Sequence, residues 1–112
     1  MTNMFNPPHP GRMLAESLRY LGINPCEFAK HIGALENSVL EILSEESPMT
    51  PDIALRISAA LPGPSPETWL ALQADYDLWQ TRKRVSTARI QRIEVPTLQR
   101  ALPESAGQEV TQ

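Results

Sequence analysis

Between His31 and Arg56 the chain carries no lysine or arginine, and across all 112 residues it has one cysteine and two histidines. Each shortage removes a class of function. A lone Cys26 cannot close an internal disulfide, and together with His9 and His31 it gives no zinc-ligand spacing, so no metal site is expected. No serine or cysteine nucleophile is placed by a recognisable turn, so neither catalytic residues nor a cofactor are expected, and the chain does not read as an enzyme. No apolar run approaches the length of a bilayer span, and residues 1–9 lack the basic flank and apolar centre of a signal peptide. The expectation is a cytoplasmic protein without membrane contact. At this length and with 41% apolar residues, one domain is expected.

The formal charge of -3 hides a division. Residues 1–80 hold four basic side chains (Arg12, Arg19, Lys30, Arg56) against ten acidic ones, whereas residues 81–112 hold six basic against three acidic. An acidic body suits a basic partner, and a basic stretch is left to meet phosphates.

Five helices are legible. His9, Pro10 and Gly11 open the first, with Leu14, Leu18 and Leu21 on one face and Gly22 as its stop. Three later starts share a spelling, Asn24-Pro25, Thr50-Pro51 and Ser65-Pro66. Each pairs a side-chain acceptor at the cap with proline in the first turn, followed by Glu27, Asp52 or Glu67 to suit the helix dipole. The second helix, residues 25–32, buries Phe28, Ala29 and Ile32. The third, about 36–44, offers Val39, Ile42 and Leu43, and the fourth, 51–61, offers Ile53, Ile57 and Ala60. The fifth, 66–84, is the longest and has two apolar stripes, Trp69, Leu72, Tyr76 and Trp79 on one side and Ala71, Ala74 and Leu78 on another. Two stripes predict a helix packed on its own domain and also on a second subunit, and all seven residues are candidate homodimer contacts. Residues 1–8 read as an N-terminal arm, 9–84 as the domain, and 85–112 as a basic, partly disordered tail in which Pro96 and Pro103 limit both helix and strand.

The run His9-Pro10-Gly11, the two short helices from Asn24 to Ser44, the stretch Met49-Thr50-Pro51-Asp52-Ile53-Ala54-Leu55-Arg56 and the element Trp69-Leu70-Ala71-Leu72-Gln73-Ala74-Asp75-Tyr76-Asp77-Leu78-Trp79 resemble the HigA antitoxins of the XRE, phage-repressor-like helix-turn-helix class. The resemblance spans about residues 9–84. It implies an all-α, five-helix phage-repressor-like domain with a long C-terminal helix and an extended tail. It also implies a homodimer held by that helix, neutralisation of a small basic HigB-like ribonuclease toxin, and autorepression of the operon through operator DNA. The departures share one direction. Pro25 stands where the family usually has a polar residue able to reach a phosphate, Leu35 opens the reading helix in place of serine, and Ser44-Glu45-Glu46-Ser47 replaces an Asn-Gly-Lys-like loop.

Two functions therefore compete. Glu36, Asn37, Ser38 and Glu41 can read base edges, glutamate accepting from cytosine N4 and asparagine pairing with adenine, if Lys30, Arg12, Arg19 and the Arg82-Lys83-Arg84 cluster hold phosphates. Against this, Glu36, Glu41, Glu45 and Glu46 set like charge against a duplex within a Debye length of roughly 8 to 10 Å. The alternative is a dimeric protein-interaction module whose acidic, degenerate recognition helix binds a basic protein and not DNA.

Overall fold

The computed structural model describes residues 6–95 of the chain, and within them every regular element is helical. These are α1 (Pro10–Leu21), α2 (Pro25–Ile32), α3 (Glu36–Leu43), α4 (Pro51–Ala60) and α5 (Pro66–Arg84). Residues 1–5 of the expected arm and 96–112 of the expected tail lie outside the described residues.

The proline-led starts work as their chemistry dictates. Asn24 Oδ1 accepts from the N–H groups of Cys26 at 2.8 Å and Glu27 at 3.3 Å. Thr50 Oγ1 accepts from Ile53 N–H, and Ser65 Oγ from Thr68 N–H. Proline at the first helical position removes a donor that would have had no partner. Gly22 and Gly33 close α1 and α2 at φ 71° and 73°, a left-handed conformation that glycine adopts without steric cost. α3 is the exception: Leu35 offers no side-chain cap, and the helix turns out through Glu45 at φ 67°, a non-glycine residue in the left-handed region. The resemblance places glycine at this point of the loop.

α1 and α2 pack on α3, α4 packs on α2 and α5, and α5 returns against α1. The core gathers Leu14, Leu18, Phe28, Ala29, Ile32, Val39, Ile42, Met49, Ile53, Ala54, Ile57 and Trp69. Gly11 belongs to a contact that the Leu14-Leu18-Leu21 spacing does not reveal, since a Cβ there would overlap the Ile42 backbone carbonyl, so α1 and α3 cross with no room for a side chain.

Some expected core positions are corrected. Leu21 is half exposed, because α1 ends in a tight reversal in which Ile23 N–H reaches back to Leu18 carbonyl at 2.9 Å and Ile23 packs on the core instead. Ala60 at the end of α4 is exposed, and Ala54, nearly two turns earlier, is buried beside Ile53 and Ile57. The arm is not wholly free of the body, since Pro7 is buried ahead of the buried His9.

Candidate nucleic-acid interface

α2 and α3 form the two-helix unit that a groove-reading module presents, and α3 turns Val39 and Ile42 inward while Glu36, Asn37, Leu40 and Glu41 face out. The outer face is anionic but partly tied down. Cys26 Sγ donates to Glu36 Oε2 at 2.7 Å, which fixes the first carboxylate of α3 to the start of α2. That bond to Glu36, with burial and neighbouring negative charge, pushes the thiol above its ordinary value of 9.0. The start of α2 therefore does not lower the thiol's pKa. Glu41 Oε1 accepts from Ser47 Oγ at 2.9 Å, which joins the middle of α3 to the following loop.

Ser38 is half-buried and lines a shallow groove with Glu41, Ser47, Thr50 and Asp52, while Asn37, Leu40, Glu41, Ser44 and Glu46 line a second on the opposite flank. Glu41 lines both grooves, with Ser38 in one and Asn37 in the other. Leu35 is 76% exposed and Leu40 38%. These two apolar residues of the reading edge escape a search for charged and amide side chains. Leu40 lies off the Val39-Ile42-Leu43 face, whereas Leu35 is spaced to join that face and stays exposed because it precedes the helix as its N-cap.

The candidate phosphate holders divide. Lys30 is exposed on α2, one turn beyond Cys26 and therefore on the side of the α3 start. Arg12 is committed to Glu45 at 3.4 Å, and Arg19 is exposed on the last turn of α1. Arg56, in none of the candidate sets, is structural: its Nε binds Asp52 at 2.6 Å, and its Nη1 donates to the carbonyls of Ile32 and Gly33, capping the end of α2. Lys83 lies over the Trp79 ring at 3.6 Å from its centroid, and Arg82 and Arg84 are exposed. Among the described residues no cluster of metal-ligating side chains occurs.

The two stripes of α5 separate cleanly. Trp69 is fully buried in the core of its own protomer and has no surface to give to a second subunit, which corrects its assignment as a dimer contact. Leu72 packs against the same core. Tyr76 meets His9 edge-on with ring centroids 4.9 Å apart, and Trp79 follows it at 6.3 Å. Trp69, Leu72 and Tyr76 of the first stripe thus serve the body, while half-buried Trp79 meets Tyr76 and Lys83 of its own helix. Ala71, Ala74 and Leu78 stay exposed along the other side.

Between the stripes sits Gln73, a residue the apolar pattern passes over. It is buried, its Oε1 accepts from Met49 N–H at 2.7 Å, and its Nε2 donates to Asp77 Oδ1 at 2.9 Å. The long tryptophan-bounded element therefore encodes a clamp on the loop that follows α3. Trp69 fills the core, Gln73 holds Met49, Asp77 orients Gln73, and Tyr76 covers His9.

No protein-family model matches the sequence. Curated relatives do. The chain is 42% identical over 77 residues to virulence-associated protein A' of Dichelobacter nodosus, covering 69% of this chain and 67% of that protein. It is 37% identical over 79 residues to antitoxin HigA-1 of Vibrio cholerae, covering 70% and 73%. Among solved structures, antitoxin GraA superposes with a TM-score of 0.73 at 31% identity, over 80% of this chain and 99% of GraA. Pseudomonas aeruginosa antitoxin HigA, solved with the higBA promoter, superposes with a TM-score of 0.61 at 25% identity, over 73% and 98%. No helix among the described residues is long and apolar enough to cross a membrane. With this fold, this clamp and these relatives, the chain belongs to the HigA antitoxin family of XRE-like helix-turn-helix regulators.

Proposed function

We propose that this chain is an antitoxin and operon autorepressor that binds operator DNA as a homodimer and neutralises a small basic toxin of the HigB type. The observation that carries this reading is the match, along nearly the full length of the neighbour, to a HigA antitoxin solved with its promoter. The unit α2–α3 supplies the reading surface, with Asn37, Ser38 and Glu41 toward base edges and Lys30 and Arg19 toward phosphates. The open Ala71-Ala74-Leu78 stripe is the surface left for a second subunit. The acidic body supports attraction of a basic toxin. Residues 9–84 are the domain, with 85–112 as the appended tail.

One observation favours a second reading, a protein-binding module without DNA affinity. The exposed edge of α3 and its loop carries Glu36, Glu41 and Glu46 and no cation of its own. A mobility shift with a duplex from upstream of the chain's own reading frame, run over a salt series, separates the two. A specific shift that weakens steeply with salt supports the repressor reading. Absence of a shift at low salt, together with co-purification of a basic protein expressed from the neighbouring reading frame, supports the protein-binding one.

A further inference from the structure

The body is short of cations that a phosphate can reach. Of its four basic side chains, Arg12 is paired with Glu45, and Arg56 is held by Asp52 and the end of α2. Among the described residues, only Arg19 and Lys30 of these four make no ion pair, and they stand against the carboxylates of the α3 edge. The next cations are Arg82, Lys83, Arg84, Arg89 and Arg92, all exposed, opposed only by Glu94 up to residue 95.

Their position follows from a chain of contacts. Glu45, at the exit of α3, meets Arg12 at the start of α1, and its charge is felt at His9. His9 meets Tyr76 on α5. From Tyr76 to Arg84 is about two helical turns, on the order of 12 Å. Residues 85–92 have no regular structure apart from one turn, in which Ile90 N–H bonds the Thr87 carbonyl. Eight residues of such chain span at most roughly 28 Å. The basic end of α5 therefore begins within about two helical turns of the contact that joins α5 to the exit of α3, and the segment beyond it is long enough to cross a major groove of about 12 Å.

From this geometry we infer that residues 82–92 form a DNA-contacting arm, in which Arg89 and Arg92 supply phosphate contacts that the acidic reading helix cannot. This rests on the operator-binding reading. The helix would then contribute base contacts and the arm most of the electrostatic affinity, a division of labour in which neither part binds well alone.

The test uses the full chain and its R89Q/R92Q variant, each titrated by fluorescence anisotropy into the upstream duplex and into a random duplex of equal length, over a salt series. Both arginines are exposed and make no salt bridge among the described residues, so the variant's melting temperature and sedimentation should match the parent's. The expected result is a salt slope shallower by about two units, with affinity reduced by a similar factor on both duplexes. A parent that binds with a variant of unchanged slope overturns the arm and leaves the repressor reading standing. A variant that binds DNA more tightly also overturns it, and marks the tail as an occupant of the anionic edge. Failure of the parent to bind either duplex at low salt overturns both.

Discussion

His9 does three things within one residue. Its Nδ1 accepts from Gly11 N–H at 2.9 Å and so caps α1, its ring covers Tyr76, and its burial fixes the entry of the chain into the domain. An imidazole accepting at Nδ1 must be unprotonated there, and burial pushes its pKa below the ordinary 6.5, opposed by Glu45, Asp77 and the Ser47 backbone. Because the native pKa is the lower one, the unfolded chain binds the proton more readily. Stability from this group is thus full above about pH 6.5 and is lost as pH falls through the native value. Urea denaturation between pH 7.5 and 5 should show the parent losing stability. H9N, which keeps a capping acceptor but cannot titrate, should lose less over the same interval. Equal losses in both proteins would contradict this role. Gln73 is the counterpart at the other end of the clamp, a buried amide tolerated because Met49 N–H and Asp77 satisfy both its ends.

α5 is an element with two jobs. Its inner side is fixed to the protomer by Trp69, Gln73 and Tyr76, and its outer side offers small alanines and a half-exposed Leu78. Two such helices can approach closely because alanine adds little bulk, and Leu78 supplies the apolar surface to be covered. Introducing a carboxylate there, L78E, should leave the helical circular dichroism and melting behaviour of the protomer nearly intact. It should shift sedimentation from dimer to monomer at micromolar concentration, because the charge would have to be desolvated in the contact. A variant that remains dimeric would place the subunit contact elsewhere. α3 contrasts with α5. It is short, lacks a side-chain cap and leaves through a strained Glu45, so its position depends on Val39, Ile42 and the bonds from Cys26 and Ser47.

For the whole molecule the decisive quantity is where charge sits relative to the duplex. An anionic reading edge lowers the affinity that a helix-turn-helix unit of this shape would otherwise have, and it does so for every sequence alike. Exchanging the exposed Glu46 for lysine (E46K) should therefore raise affinity for both operator and random DNA, several-fold at low salt, with little change in their ratio. A gain confined to the operator would instead show that Glu46 faces a base. The same edge suits a basic toxin, so E46K should weaken toxin association over the same salt range if the two partners share this face.

Most of the helical framework was legible before any coordinates. Asn24-Pro25, Thr50-Pro51 and Ser65-Pro66 mark helix starts because capping and the missing proline donor are local effects, decided within four residues. The family element ending at Trp79 was legible for the same reason, as was the anionic character of residues 35–46. What spacing could not decide was allocation. It could not tell which stripe of α5 would be consumed by the protomer, that Arg56 and Arg12 would be taken up by intramolecular bonds, or that Leu35 and Leu40 would stand exposed on the reading edge. Those outcomes depend on which surfaces meet across twenty or more residues of chain, and a helical period fixes faces without fixing their partners. The sequence by itself determined the helices, their ends and the sign of their charge. Only the packing of α1, α4 and α5 around Trp69 decided which of those charges and apolar faces remained free for another molecule.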